Sequence, residues 1–151
     1  MSKTYKIGDS LLTLSDISAI IDGDKRLILE QIAKNKISVC RKFLDKDIAS
    51  SEEPVYGVNT GFGSLCNNKI DAKKLNQLQE NLVLSHACGA GDLVPFKIVK
   101  IMMLLKIKSL AYGYSGVQLT TVKRLIDMFN NNIMPVVYQQ GSLGASGDLA
   151  P

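Results

Sequence analysis

Hydrophobic residues recur three or four positions apart along most of this chain, and that spacing predicts a mainly α-helical protein. Amphipathic helices are predicted over residues 25–44, 71–85 and 118–130, each with apolar side chains on one face. Between Pro95 and Gly113 the chain is apolar on nearly every side, which predicts a helix that is almost entirely buried, in part against protein beyond this chain.

Two shorter elements are predicted before the first long helix. Residues 5–14 alternate weakly between apolar and polar side chains, which favours a short β-hairpin or an irregular segment. Ser15 and Asp16 can cap a short helix that runs to Ile21, and Gly23 follows as its stop signal. The fold class predicted is therefore mainly α, with one small β element near the N-terminus.

Composition and charge exclude several classes of protein. Of 151 residues, 46% are hydrophobic, enough for one ordinary core. The 18 Lys and Arg residues, against 14 Asp and Glu, are scattered over helix surfaces, so we expect no nucleic-acid partner. Lys100, Lys106 and Lys108 interrupt the most apolar stretch too often for a membrane span, so no membrane association is predicted.

The cysteines indicate a reducing compartment. Cys40, Cys66 and Cys88 are odd in number and far apart, which fits neither a disulfide framework nor a zinc site. The N-terminal residues 1–10 contain no apolar segment of the kind found in a signal peptide. We therefore expect a cytoplasmic protein that binds no metal.

Two glycine-rich loops fail the tests for common binding and catalytic motifs. Gly61 and Gly63 are followed by Cys66 where a dinucleotide-binding loop needs a third glycine. Ser146 is not in a nucleophile elbow, because Asp148 stands where that motif has its last glycine. The sequence contains one histidine, so no second one is present to serve a serine nucleophile.

The tripeptide Ala145-Ser146-Gly147 permits an unusual reaction of the backbone itself. The amide nitrogen of Gly147 can close a five-membered ring on the carbonyl carbon of Ala145, because glycine has no side chain to block its approach. The hydroxyl of Ser146 can then leave as water and give an exocyclic methylene. Taken by itself, the tripeptide favours an ordinary turn over this reaction.

Two further motifs give this tripeptide its context. The segment GSLGASGDLAP (141–151), together with VYGVNTGFG (55–63) and NLVLSHACGAG (81–91), resembles the aromatic amino-acid ammonia-lyases. The three motifs stand in the family's order and span most of the chain. The resemblance implies the helical N-terminal portion of an all-α carbon–nitrogen lyase.

The resemblance also implies the catalytic residues. Ala145, Ser146 and Gly147 match the residues that cyclise into the electrophile 4-methylidene-imidazol-5-one (MIO). Asp148 matches a residue that supports this group, although helix capping is an equal alternative. Tyr56 matches the base that removes the β-proton of the substrate, a role that needs surroundings favouring the phenolate. Its alternative is a half-buried loop tyrosine.

Substrate selection is implied for the end of the third motif. Ser85 and His86 resemble the pair found in the histidine-specific members, so L-histidine is the expected substrate and His86 its ring ligand. A helix-end histidine with an internal hydrogen bond is the alternative. Asn59 is assigned to substrate binding as well, and Gly61 and Gly63 are expected to shape the loop that carries the tyrosine.

The resemblance implies an N-terminal domain over residues 1–112 and the start of a central helical domain over residues 113–151. Family members are homotetramers and far longer, so we expect an N-terminal fragment that is inactive alone, with Ala145-Ser146-Gly147 unmodified. The alternatives are a phenylalanine or tyrosine ammonia-lyase, an aminomutase of the same family, or a truncated interaction module without catalytic activity.

Overall fold

A computed structural model describes residues 3–50, 53–56, 58–61, 70–71 and 74–141 of the chain. These residues form five α-helices and four short β-strands, so the predicted mainly α fold is confirmed. In chain order the elements are β1 (Thr4–Ile7), α1 (Leu14–Ile21), β2 (Arg26–Leu29), α2 (Gln31–Ser50), α3 (Leu75–His86), β3 (Ala90–Leu93), α4 (Phe96–Ala111), α5 (Leu119–Asn130) and β4 (Tyr138–Gln140).

The chain divides into two compact units. Unit 1 combines Met1–Asp47 with Pro95–Pro135, and unit 2 combines Ile48–Val94 with Val136–Pro151. Each unit is therefore built from two separate stretches of sequence. The domain boundary expected at residue 112 concerns the longer protein and stays a prediction.

The β element at the N-terminus is not the predicted hairpin. Strand β1 pairs in parallel with β2, in the register Thr4↔Arg26 to Ile7↔Leu29. The strand ends before Gly8, and residues 8–13, which lie in neither a strand nor a helix, lead into α1. In β2 every second side chain, those of Leu27 and Leu29, is buried. This two-residue period is typical of a strand, so the helix predicted from residue 25 does not form there.

The first two helices begin at other residues than predicted. Helix α2 begins at Gln31 rather than residue 25, because β2 occupies the preceding positions. The cap of α1 is Thr13, not Ser15 or Asp16. The backbone N–H of Asp16 donates to Thr13 Oγ1 at 3.1 Å, and Asp16 Oδ2 accepts from the Thr13 N–H at 3.0 Å. Hydrogen bonds from Thr13 hold the pKa of Asp16 below its ordinary value.

The core of unit 1 lies between the β1–β2 pair and the helices. Helix α4 packs against α1 and α5, and α5 packs against β2. Asn130, at the end of α5, accepts the N–H of Leu27 at 2.7 Å and donates to its carbonyl at 3.0 Å, which ties the helix to the strand. The core cluster consists of Ile7, Ile20, Leu27, Leu29, Ala33, Ile37, Met103, Leu104, Ile107, Leu110, Ala111, Val122, Ile126 and Phe129.

Helix α4 has the predicted bounds, and only part of it is buried. It ends before Gly113, whose φ of +77° and close approach to the backbone of Lys36 both require glycine. One face is buried, but Phe96, Ile98, Met102 and Leu105 are 44–55% exposed. Unit 1 therefore buries only part of this helix, and burial of the remaining face against protein beyond this chain stays a prediction.

Two of the lysines that interrupt the apolar stretch are buried in unit 1. Lys108 donates to the carbonyl of Gly8 and to that of Ser10, the latter at 2.7 Å, and lies over the ring of Tyr112. Lys100 donates to Asn132 Oδ1 at 2.8 Å and to a carboxylate oxygen of Asp24. Both ammonium groups are removed from water, and the oxygen acceptors offset the cost of burying their charge. The hydrogen bonds of Lys108 also connect the residues after β1 to α4.

Replacing Lys108 with methionine is expected to lower the free energy of unfolding of the chain by about 1–3 kcal/mol. Methionine keeps the aliphatic stem but leaves the carbonyls of Gly8 and Ser10 without this donor. Chemical denaturation measures the effect, with Lys106→Met as the matched control because Lys106 is exposed on the same helix. Equal unfolding free energies for the two variants would contradict a structural role for Lys108.

Candidate functional site

The predicted tyrosine loop forms a tight turn in unit 2. The N–H groups of Val58 and Asn59 both donate to the carbonyl oxygen of Val55, at 3.0 and 3.2 Å. Tyr56 lies within this turn, and the residue is 62% exposed. The turn therefore fixes the backbone at Tyr56 while leaving most of its ring accessible.

Asn59 holds this turn together from the inside. Its side chain is 2% exposed, and its Oδ1 accepts the N–H of Val55 at 2.7 Å. Its backbone carbonyl accepts the N–H of Ile70 at 2.8 Å. The amide oxygen is thus engaged with the backbone of the turn. The substrate-binding role assigned to Asn59 stays a prediction beside this structural one.

The turn is also connected to the helix that follows it. Gln79 Nε2 on α3 donates to the carbonyl of Val58 at 3.1 Å. Thr60 is fully buried and its hydroxyl donates to the carbonyl of Gly61 at 2.9 Å. Gly61 is buried, and Gly63 lies outside the described residues. The tyrosine turn and α3 therefore share a hydrogen bond within one unit.

Helix α3 carries the predicted selectivity pair at its C-terminal end. It begins at Leu75, later than a cap at Asp71 predicts, and Lys74 at the N-cap makes no side-chain capping bond. Ser85 is exposed, and its hydroxyl donates to the carbonyl of Leu82 at 3.0 Å. His86 is the last residue of the helix, and only its backbone is described.

A two-stranded antiparallel ribbon follows the selectivity pair. Strand β3 pairs with β4, with Ala90 opposite Gln140 and Leu93 opposite Tyr138. The N–H of Val94 donates to the carbonyl of Val137 at 2.8 Å and extends the pairing by one step. Strand β4 ends at Gln140, immediately before the motif of residues 141–151 in the sequence, and β3 begins within the motif of residues 81–91.

The remaining predicted site residues lie outside the described part of the chain. They are Ala145, Ser146, Gly147 and Asp148, and their roles stay predictions. Within the described ranges, no group of three or more His, Cys, Asp or Glu side chains is arranged to hold a metal ion. No helix in those ranges combines the length and apolar character needed to cross a membrane.

Sequence reasoning missed three residues that organise this unit. Gln79 links α3 to the tyrosine turn, and Gly89 receives the ring of Tyr138 from β4. The glycines in NLVLSHACGAG were the available signal, because a close approach between backbones often needs glycine. Nothing in the sequence near Gln79 indicated its contact with Val58.

Replacing Asn59 with alanine is expected to loosen the tyrosine turn, because the partly buried N–H of Val55 loses its acceptor, at a cost of about 1–3 kcal/mol. Hydrogen exchange at the amides of Val55, Val58 and Asn59 should accelerate while exchange in α4 stays unchanged. Asn59→Asp keeps the acceptor oxygen and serves as the control. Unchanged exchange in the alanine variant would refute this role for Asn59.

Comparison with known proteins identifies close relatives. The family model described as aromatic amino acid lyase matches residues 12–151. The histidine ammonia-lyase of Streptococcus gordonii is 44% identical over 151 residues, and that of Streptococcus sanguinis is 43% identical over the same length. In both comparisons the whole chain is covered, and it spans 29% of the length of the relative.

Solved structures share the fold of this chain. Tyrosine aminomutase from Streptomyces globisporus superimposes with a TM-score of 0.85 at 28% identity, over 93% of this chain and 27% of that one. Phenylalanine aminomutase from Pantoea agglomerans gives 0.84 at 29%, over 97% and 28%. Histidine ammonia-lyase from Trypanosoma cruzi gives 0.74 at 29%, over 87% and 25%.

Proposed function

Because the chain belongs to the aromatic amino acid lyase family, we propose that it supplies part of the active site of a histidine ammonia-lyase. The reaction is the non-oxidative elimination of ammonia from L-histidine to give trans-urocanate. The observation that carries the proposal is the Ser85–His86 pair at the end of α3, the helix to which the tyrosine turn is hydrogen-bonded. The 44% identity to a relative of that name supports it.

Tyr56 acts as the base in this proposal. Its phenolic oxygen takes the proton from the β-carbon of L-histidine, the electron pair of that C–H bond forms the Cα–Cβ double bond, and the Cα–N bond breaks to release ammonia. The turn closed by Asn59 supports this role by holding the backbone at Tyr56 while its ring stays accessible. Holding a base in one place lowers the barrier by removing the entropic cost of alignment.

His86 recognises the substrate ring in this proposal. A histidine side chain can donate to or accept from the substrate imidazole, and a site built for a polar ring discriminates strongly against an apolar one. The end of α3 supports the assignment because a residue there is anchored by the helix on one side and by the ribbon on the other.

The electrophile would come from Ala145-Ser146-Gly147, which contain every atom that MIO requires. Once formed, the group supplies an electron-poor methylidene carbon that makes the substrate amine a better leaving group. The pairing of β4 with β3 supports this assignment, because it anchors the chain five residues before Ala145. No metal or diffusible cofactor forms part of the proposal.

We further propose a cytoplasmic homotetramer. The cysteine pattern supports the location. The homotetrameric assembly of family members supports the proposed oligomeric state. The exposed apolar side chains of Ile98, Met102 and Leu105 on α4 are consistent with burial against protein beyond this chain.

An aminomutase is the second candidate function. The tyrosine and phenylalanine aminomutases superimpose with TM-scores of 0.85 and 0.84, above the 0.74 of the Trypanosoma cruzi histidine ammonia-lyase. An aminomutase returns the amino group to the β-carbon, so its product is a β-amino acid rather than an unsaturated acid. The higher identity to histidine ammonia-lyases favours the elimination.

Substrate profiling of the full-length protein tests the proposal. We expect urocanate and ammonia from L-histidine, and little product from L-phenylalanine or L-tyrosine. His86→Leu should lower kcat/KM for L-histidine by about 100-fold or more, since the ring loses its hydrogen-bond partner. His86→Gln, which can still form a hydrogen bond, should retain more of that activity.

Two results would contradict the proposed function. One is a β-amino acid as the main product from any of the three substrates. The other is a full-length protein that prefers L-phenylalanine or L-tyrosine before any substitution is made.

A further inference from the structure

A cavity of about 350 Å³ lies in unit 1, where the turn between α1 and β2 faces α4 and the end of α5. Its volume falls within the range of small-molecule sites, about 300–1,000 Å³. Every residue that lines it belongs to unit 1, and none belongs to the tyrosine turn or to α3. The proposed ammonia-lyase reaction makes no use of this cavity.

Positive charge predominates in the lining of the cavity. The lining contains four cationic side chains and one carboxylate, those of Lys3, Lys25, Arg26, Lys100 and Asp24. Four positive charges against one negative charge leave an excess of three. A concave surface lined mainly by one sign of charge concentrates ions of the opposite sign. The lining therefore suits an anion.

Two residues in an unusual backbone conformation hold the buried Lys100 at this cavity. Its ammonium group donates to Asp24 Oδ1 at 3.1 Å and to Asn132 Oδ1 at 2.8 Å. Among the described residues other than glycine, only these two have a positive φ, +45° for Asp24 and +55° for Asn132. Such a conformation costs energy, although Asp and Asn tolerate it better than most residues. Both left-handed residues thus direct a side-chain oxygen to one ammonium group.

Lys100 retains the capacity to bind a further acceptor. An ammonium group has three N–H donors, and the oxygens that it meets within the described ranges are those of Asp24 and Asn132. The side chain of Lys100 is 8% exposed, whereas that of Asp24 is 80% exposed, so solvent screens the Asp24 charge. An anion in the cavity would give the buried ammonium group a third oxygen and a second counter-charge.

We propose that this cavity binds a phosphate group, either as free phosphate or as the phosphate ester of a small molecule. A phosphate presents several oxygens and up to two negative charges, whereas a carboxylate presents two oxygens and one charge. Arg26 can bond two phosphate oxygens side by side from the rim, and Lys100 donates from the buried side. The cavity is larger than a phosphate ion, so the organic part of an ester has room.

Calorimetric titration of the full-length protein with inorganic phosphate tests the proposal. Sodium chloride holds the ionic strength constant, and chloride is the competing anion. We expect saturable binding at one site per chain. Arg26→Gln should raise the Kd by about 10-fold, the effect of losing hydrogen bonds to a charged group. Arg124→Gln is the matched control, because it removes the same charge from an exposed position on α5 outside the cavity lining.

Lys100→Met tests the buried donor in the same titration. Its Kd should rise by about 10-fold or more, because methionine keeps the aliphatic stem but has no N–H group. The Tm of each variant reports whether it folds. Lys3→Gln provides a second test that does not depend on folding of the methionine variant, since Lys3 is exposed at the rim. It should weaken phosphate binding more than Arg124→Gln does.

Glycerol 3-phosphate is the second probe and distinguishes the two sources of the phosphate group. Tighter binding of the ester than of inorganic phosphate would identify a phosphate ester as the ligand, and equal or weaker binding would identify free phosphate.

The proposal is overturned if neither probe binds saturably, or if Arg26→Gln weakens binding no more than Arg124→Gln does, which would indicate attraction by net charge alone. Phosphate binding is measured without L-histidine, so the result is independent of ammonia release and of the proposed function.

Discussion

The Ser146→Ala variant of the full-length protein is expected to lose ammonia release from L-histidine by more than about 1000-fold. Closing the ring between Ala145 and Gly147 expels one water, and loss of the Ser146 hydroxyl expels a second. Alanine has no hydroxyl to lose, so the methylidene carbon cannot form. Intact mass and urocanate absorbance measure the two consequences separately.

Ser142→Ala is the matched control for this prediction. Ser142 belongs to the same glycine-rich segment but is followed by Leu143, so it lacks the unhindered glycine that attacks the carbonyl. We expect the control to show the two-water loss and to retain substantial activity. Urocanate production by Ser146→Ala at the parent rate would exclude this tripeptide as the source of the electrophile.

Replacing Tyr56 with phenylalanine is expected to lower kcat for L-histidine by about 100- to 10,000-fold, the range typical for removing a general base. Phenylalanine keeps the ring, and the bonds that close the turn run between Asn59 and Val55 rather than through the phenol. The turn should therefore survive. Solvent deuterium incorporation at the β-carbon of recovered substrate reports proton removal directly.

Tyr114→Phe serves as the control because Tyr114 is 88% exposed and belongs to unit 1. It should leave both kcat and deuterium incorporation unchanged. If Tyr56→Phe exchanged the β-proton as fast as the parent, another group would have to be the base, and the turn would hold Tyr56 for a different purpose.

The helices were predictable because their signal is local. Over Phe96–Ala111 and Leu119–Asn130 the apolar spacing and the flanking Pro95 and Gly113 fix the bounds within a few residues. Strand β2 was not predictable in this way. Its four residues are too few to separate a two-residue period from a helical one, and its partner β1 lies 22 residues earlier in the chain.

The burial of two lysine side chains could not be predicted from the sequence either. Lysines in an apolar helix are usually solvated, yet Lys100 and Lys108 are buried because loops distant in sequence bring them oxygen acceptors. In the candidate site, too, some residues could be predicted from the sequence and others could not. Motifs identified Tyr56 and the pair at the end of α3, whereas the contact of Gln79 with Val58 depends on how the chain folds back.

The discontinuity of unit 1 has a consequence during synthesis. Its first stretch ends at Asp47 and its second begins at Pro95, so 47 residues separate the two. At roughly 5–20 residues per second, about 2–10 s pass on the ribosome between them. Throughout that interval Ile7, Leu27 and the other early core side chains lack α4, which makes the nascent chain a natural client for chaperones that shield apolar segments.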